Sequence, residues 1–434
     1  MAKMFKILLF ITLLVLLNPN PSISSAPTPH GYHPLPSHGA YPPEDLSPPP
    51  LPPPPPPQPP LDPKLEAART VILQFKSTIT SDPLGVTNTW LSGNSPCNYT
   101  GFFCGNPPKE NQTTTIASID FNGFGLAAPT VSGFLDQFTE LALFHANSNN
   151  FSGYLPDVSN LQYLYELDLS NNKLSGKFPM EVLQITDPVF LDLRYNNFYG
   201  VVPPQVFTLP LDVLFINNNA FDNYIPHNLG ATSAIYLTLA NNHFTGPIPG
   251  SIKNVSSTLK EVLFLNNDLT GCLPFQIGYL KNTTVFDAGG NRLTGPIPCS
   301  FGCLTSIQQL NLAGNQLYGK VLEEVCALGS LQNLSLSDNY FTELGPTCQS
   351  LVGSVVNVDK NCIPALPNQR SPAECHAFLA RPKYCPTRWG PDNVPCKLPS
   401  QGTPVFEAPP PPPPPPALSP AYSALVKHKR RRIL

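Results

Sequence analysis

Residues Leu164–Gly176 read LYELDLSNNKLSG and fit the template L-x-x-L-x-L-x-x-N-x-L-x-G. The template returns every 22 to 25 residues, and its asparagine column marks the copies: Asn149, Asn172, Asn196, Asn219, Asn242, Asn267, Asn291, Asn315 and Asn339. Two places after each Asn stands an apolar residue: Phe151, Leu174, Phe198, Phe221, Phe244, Leu269, Leu293, Leu317 and Phe341. A degenerate copy comes first (Ile116, Ile119 and Phe121, with Phe124 in place of Asn), and a shortened one closes the series at Val356, Val358 and Asn361. Scattered surface asparagines would not keep a fixed offset through nine copies. The pattern is that of a stacked repeat.

Within each copy the L-x-L core reads as a short strand whose alternate residues point inward. One strand with one turn cannot bury its apolar face alone, so neighbouring copies stack and share a core. The Asn falls where the chain turns, and its amide can satisfy backbone groups that the turn leaves unpaired. The reading is a leucine-rich repeat solenoid of the α/β class, with a curved parallel β-sheet on its concave face. Gly-x-hydrophobic-Pro segments follow the Asn, as in Gly176-Lys-Phe-Pro, Gly246-Pro-Ile-Pro and Gly295-Pro-Ile-Pro. Proline there excludes long helices, so the convex side is expected to be extended or 3₁₀. These segments resemble the plant-specific leucine-rich repeat consensus.

The chain has 434 residues, 12% of them charged, with 56 Pro, 11 Cys and a formal charge of -3. So small a net charge gives no argument for nucleic acid. Residues 1–25 read as a signal peptide: Lys3 and Lys6, an apolar run from Ile7 to Leu17, then small residues near Ser25-Ala26. That run is too short to span a membrane, and no other segment is long enough. Secretion implies that most cysteines are oxidised, and the odd count leaves one for a partner chain or a free thiol. Six sequons, at Asn98, Asn111, Asn150, Asn254, Asn282 and Asn333, agree with a secretory route and are the expected glycosylation sites.

Residues 26–61 carry His and Pro without apolar periodicity and read as a polyproline II spacer. From 62 to 115 an N-terminal cap is expected. Asp62-Pro63 offers an N-cap and a first-turn proline, and Leu65, Ala68, Val71, Ile72, Phe75 and Ile79 follow at helical spacing. Then come Trp90 and the close pair Cys97 and Cys104. Helix, Trp and Cys pair in that order resemble the N-terminal cap of plant leucine-rich repeat proteins, in which a Cys97–Cys104 disulfide would pin the cover over the first coil; a zinc pair is the other reading. The repeats occupy 116–347. Cys272 with Cys299, and Cys303 with Cys326, lie on successive coils close enough to bridge if their side chains converge. Residues 348–398 read as a Cys-rich C-terminal cap and tail, and 399–434 as a Pro-rich, basic end.

The tail carries Asn361-Cys-Ile-Pro-Ala-Leu-Pro-Asn-Gln-Arg-Ser-Pro-Ala-Glu-Cys375. With the cap and the repeats it resembles the leucine-rich repeat extensin family over about residues 62–398. The family pattern continues into repeated Ser-Pro-Pro-Pro-Pro blocks. This chain departs there, with one run of eight Pro (Pro409 to Pro416), Ser419-Pro420, Tyr422 and a basic end from Lys427 to Arg432.

The outward strand residues lie six, four and two places before each Asn. They bring five acids (Glu166, Asp168, Asp192, Glu261 and Asp287) and one base, Arg194, to the concave face. Phe190, Phe215, Tyr236, Leu263 and Leu265 place apolar side chains on its middle copies, the usual mark of an interaction surface. An acidic surround favours a basic partner. Asn333 falls on this face, where a glycan would bar ligands from the last coils.

The chain has no Gly-x-Ser-x-Gly, phosphate loop or His-Glu-x-x-His, so no enzyme, metal or cofactor is expected. The resemblance implies an extracellular, wall-associated regulator of wall assembly and growth. It further implies binding of small basic Cys-containing peptides of the rapid alkalinisation factor type, disulfide-linked dimers, and a share in peptide binding for the tail, residues 348–396. Cell-wall polysaccharide is a further partner, through the basic end meeting anionic pectin. Two other readings are an inhibitor of microbial polygalacturonases, a class of secreted inhibitor that also has about ten plant-type repeats, and a structural wall protein.

Overall fold

The computed structural model describes residues 62–108, 113–381, 385, 395 and 396. The signal segment 1–25, the Pro-rich stretch 26–61, the end 399–434 and the sequon at Asn111 lie outside the described residues.

Each repeat contributes one three-residue strand to a long sheet: Leu143–His145, Glu166–Asp168, Phe190–Asp192, Val213–Phe215, Tyr236–Thr238, Glu261–Leu263, Val285–Asp287, Gln309–Asn311 and Asn333–Ser335. Thr115–Asp120 precedes them and Val356–Asn357 follows, all parallel and in chain order. Phe102–Gly105 of the N-terminal cap closes the first edge antiparallel to Thr115–Asp120, giving twelve strands. The register is constant, so the middle residues form one buried ladder: Phe144, Leu167, Leu191, Leu214, Leu237, Val262, Phe286, Leu310 and Leu334.

The asparagine column does what its position requires. Nδ2 of Asn172 donates to Ala146 O (2.8 Å) on the preceding coil and to Leu169 O (3.1 Å) on its own, while Oδ1 accepts from Phe151 N (3.0 Å). The same three bonds recur around Asn196, Asn242, Asn291 and Asn339, and the shortened copy repeats them at Asn361. Each amide therefore stitches two coils together. The residue before it turns through the left-handed region, and Asn, Asp or Gly fills most of these places (Asn171, Asn218, Asn241, Asn266, Gly290, Gly314, Asp338). Tyr195, at φ 52°, holds the same turn without that advantage.

The residues after the Asn form a second parallel sheet of ten strands, from Ala127–Ala128 to Tyr340–Leu344, which periodicity did not reveal. Beyond it the chain turns through short 3₁₀ segments such as Met180–Gln184, Pro204–Thr208 and Phe275–Tyr279, entered from Pro179, Pro203 and Pro274. This is the convex side expected from the proline pattern.

The helix Pro63–Thr78 is capped by Asp62, whose side chain accepts from Lys64 N (2.9 Å). It buries Leu65, Ala68, Ile72 and Phe75, and Phe75 stacks on Phe134 of the repeats at 3.9 Å. Trp90 is buried with its indole N–H on Thr100 O (3.0 Å), beside the Cys97–Cys104 disulfide.

The other disulfides correct the pairing read from successive coils. Cys272 lies at the end of a flank strand and Cys299 at the start of a 3₁₀ turn, so they occupy different points on the coil and do not pair. Cys272 bonds Cys385, Cys303 bonds Cys396, Cys326 bonds Cys348 and Cys362 bonds Cys375, leaving Cys299 free. The C-terminal segment returns along the solenoid: the helix Pro372–Leu379 lays Phe378 on Tyr340 (3.4 Å, 6° between planes) and against Tyr318. That return brings distant cysteines together.

Candidate functional site

The concave face is built of three rows, and the constant register makes each row continuous. Phe190 and Tyr236 stand in the first, Phe215 and Leu263 in the second and Leu265 in the third, and all five are partly exposed. Phe190 meets Phe215 edge to face at 6.2 Å, and the Arg194 guanidinium sits over Phe215 at 4.9 Å. The middle coils thus carry a partly exposed apolar strip, with Arg194 lying over part of it.

The acids expected around this strip are differently placed. Asp192 is fully buried and Asp168 nearly so, and neither offers a free carboxylate. Asp168 Oδ1 accepts from the backbone and hydroxyl of Ser170 (2.9 and 2.6 Å), and Asp192 Oδ1 from Arg194 N (3.0 Å). Asp120, Asp287, Asn311 and Asn357 make the same contact two residues on, at Asn122, Gly289, Ala313 and Asp359. An Asp or Asn four places before the ladder Asn closes the strand as an Asx turn, a structural task. That offset was readable in the sequence and is what the reading of five free acids missed.

Asp192 Oδ2 lies 2.9 Å from Arg194 Nε, yet it makes no hydrogen bond of good geometry. Burial pushes this carboxyl well up, against the pull of Arg194 and with the charge of Asp168 adding to the rise. Thr238 Oγ1 and Asn217 Oδ1 are likewise buried without a hydrogen-bond partner among the described residues. Asp192 and Thr238 are the cross-strand neighbours of Phe215. Buried polar oxygens without a well-formed hydrogen bond therefore lie on both sides of that ring.

Glu166 pairs with His145, Nε2 to Oε2 at 3.0 Å. Burial alone would lower the imidazole, but the Glu166 hydrogen bond and the charges of Glu166, Asp168 and Asp120 hold it above its ordinary value. Glu261 has no hydrogen-bond or ion-pair partner among the described residues, and burial raises its carboxyl to about 7. Because the folded value exceeds the unfolded one, Glu261 favours the fold fully below about pH 4.5 and that contribution is lost as pH rises through 7. Glu261→Gln is expected to flatten the dependence of the denaturant midpoint on pH across that window by about one proton's worth of slope. An unchanged slope would mean that Glu261 titrates as it does in water.

Nearer the C-terminus the third row becomes small. A recess of about 460 Å³ opens there, lined among others by Leu265, Gly290, Ala313, Ser337, Asp359 and Lys360. The sequon residues Asn98, Asn150, Asn254, Asn282 and Asn333 are all exposed, and Asn333 stands on the sheet level with Gln309. No helix of the described residues is long and apolar enough to cross a membrane.

The continuous parallel ladder, the asparagine stitching, the proline-led 3₁₀ side and the disulfide-pinned caps define a leucine-rich repeat module of the plant type. Residues 66–105 match the leucine rich repeat N-terminal domain, and 163–184 and 233–255 match the Leucine Rich Repeat. Over 328 residues the chain is 42% identical to leucine-rich repeat extensin-like protein 6 of Arabidopsis thaliana, covering 75% of this chain and 68% of that one. Protein 7 of the same series is 36% identical over 349 residues, covering 80% and 77%. The chain belongs to the leucine-rich repeat extensin-like family. Against protein 2 it is 42% identical but spans only 42% of that relative's length.

Two solved structures share the fold at lower identity. One is the ectodomain of the Arabidopsis thaliana receptor kinase GASSHO1/SCHENGEN3 in complex with CASPARIAN STRIP INTEGRITY FACTOR 2 (22% identity, TM-score 0.56, 68% of this chain and 41% of that one). The other is a plant ice-binding protein (24%, 0.57, 70% and 97%).

Proposed function

We propose that this is a secreted protein of the plant cell wall whose concave sheet captures a small basic Cys-containing peptide, of the rapid alkalinisation factor type, and so regulates wall assembly and cell growth. One observation carries the reading: the partly exposed apolar strip of Phe190, Phe215, Tyr236, Leu263 and Leu265 on the middle coils. Glu261, free of partners, gains its negative charge around neutral pH and favours a cation. Cys299, left over by five intrachain disulfides, is the thiol for a disulfide-linked homodimer.

The test uses the full chain secreted from plant cells, titrated with a panel of oxidised basic peptides of this type and assayed against fungal polygalacturonases. Phe215→Ala is expected to weaken peptide binding at least about tenfold, the effect of losing an aromatic anchor. Glu261→Lys is expected to weaken it further and to reduce its salt dependence. Asp168 and Asp192 are unsuitable probes, because replacing them opens strand-closing turns. Peptide binding indifferent to both substitutions would move the site to the tail at 348–396. Polygalacturonase inhibition without peptide binding would replace this reading with the inhibitor one.

A further inference from the structure

The flank sheet has its own order. Five places after each ladder Asn stand Tyr154, Lys177, Val201 and Tyr224 in succession, and the side chains of Tyr154, Lys177 and Tyr224 lie against a glycine of the next coil. Where Tyr154 and Tyr224 rest, the next coil has Gly176 and Gly246, both with positive φ (114° and 72°). A Cβ at Gly176 would lie 2.7 Å from the Tyr154 ring, and one at Gly246 would lie 2.2 Å from the Tyr224 ring. The glycines make floors for the two rings. The rings nevertheless stay open to solvent, Tyr154 at 70% and Tyr224 at 61%, with Val201 at 54% and Tyr199 at 49% between them. Large exposed aromatics seated on built floors are platforms rather than unburied core.

The same sheet, farther along, already serves as a docking face. Cys385 of the returning segment bonds Cys272 and lies against Gly295, while Phe378 stacks flat on Tyr340. The platform from Tyr154 to Tyr224 continues that face. Its pattern does not suit a protein partner, whose interface would centre on contiguous apolar residues with few charges. Here the aromatics alternate with exposed polar groups, since the register sets Tyr199 beside Lys177 and Asp222 beside Val201. Two lysines, Lys173 and Lys177, and one acid, Asp222, stand among the rings, so charge alone does not select a charged polymer. A sugar ring in a β-linked chain fits the alternation. Its axial C–H face carries slight positive charge and meets the negative face of an aromatic ring, while its equatorial hydroxyls point sideways to Lys177, Asp222 and Thr245. Three strand spacings and a six-residue stagger separate Tyr154 from Tyr224, about 14 Å across the sheet and about 20 Å along it, a span that an extended oligosaccharide can follow diagonally.

We propose that this flank binds an unbranched, neutral, β-linked glucan chain across Tyr154, Tyr199 and Tyr224. The site is on a different face from the concave strip and is tested apart from it. The full chain is incubated with microcrystalline cellulose and titrated with cellohexaose. Retention on cellulose is expected, with binding at least tenfold weaker in the Tyr154→Ala/Tyr224→Ala pair and kept in the Tyr154→Phe/Tyr224→Phe pair, which preserves the rings. Thermal unfolding of both pairs checks that the solenoid is intact. Failure of the unsubstituted chain to bind either probe, or binding that ignores the Ala pair, overturns the proposal. So does capture of a proline-rich peptide in place of the glucan, which would make the row a polyproline II seat.

Discussion

Asn242→Ala is expected to lower the stability of the solenoid by about 2 kcal/mol or more, measured by chemical denaturation. Four bonds disappear together: the amide N–H groups leave Ile216 O (3.1 Å), Leu239 O (3.0 Å) and Ala240 O (3.2 Å), and Oδ1 leaves Phe221 N (3.0 Å). Ile216 O and Leu239 O keep a second amide donor, from Asn219 (3.2 Å) and Asn267 (3.1 Å), and Ala240 O keeps Asn218 N (3.0 Å), so Phe221 N is the buried group left without its partner. Leaving a buried backbone group unsatisfied costs about 1–3 kcal/mol, more than the bond itself contributes. Alanine also leaves a void between coils. The damage falls on the joint between the coils of Asn219 and Asn242, and nearest-neighbour coupling makes that joint the weak point of the whole array. Asn242→Asp separates the two halves of the argument. It keeps the acceptor for Phe221 N but turns the donor into a second acceptor facing three carbonyls, so it should be at least as harmful as Ala. If Asp were tolerated, the ladder would be ornamental and packing alone would hold the coils.

Removing the Cys272–Cys385 bridge as the pair Cys272→Ser with Cys385→Ser is the second large effect. The cross-link closes 113 residues of sequence. In the chain-entropy view a loop of that size contributes about 4.7 kcal/mol by restricting the unfolded chain, a fall in Tm on the order of 10 °C for a module of this length. In a solenoid the loss should also be local. The coils spanned by the returning segment, from Asp268–Cys272 to Tyr340–Leu344, would lose hydrogen-exchange protection, while those around Asn149 to Asn219 keep theirs. Substituting both cysteines avoids a new thiol beside Cys299. Unchanged protection and an unchanged Tm would show that the segment hangs from the solenoid without bracing it.

The sequence by itself determined the solenoid, because every coil repeats one local problem: bury an apolar strand, then turn. The Leu and Asn columns state the solution at fixed offsets, and Pro sets the convex side, so reading them required no knowledge of what lies across the molecule. Asp62-Pro63 and the spacing of Leu65, Ala68, Ile72 and Phe75 likewise carried the capping helix. Three things waited for the tertiary structure. The flank sheet arises only when Gly176 or Gly246 meets the coil before it. The disulfides of Cys272 and Cys303 depend on a segment that returns from about a hundred residues away. The acids of the concave face changed role because facing outward in a strand does not settle where a carboxylate finds its hydrogen bonds. Asp168 and Asp192 found theirs in their own backbone, whereas Glu261, one methylene longer and one row over, found none. Local periodicity specifies which atoms are near in the chain, and a binding surface is made of atoms that only packing brings near in space.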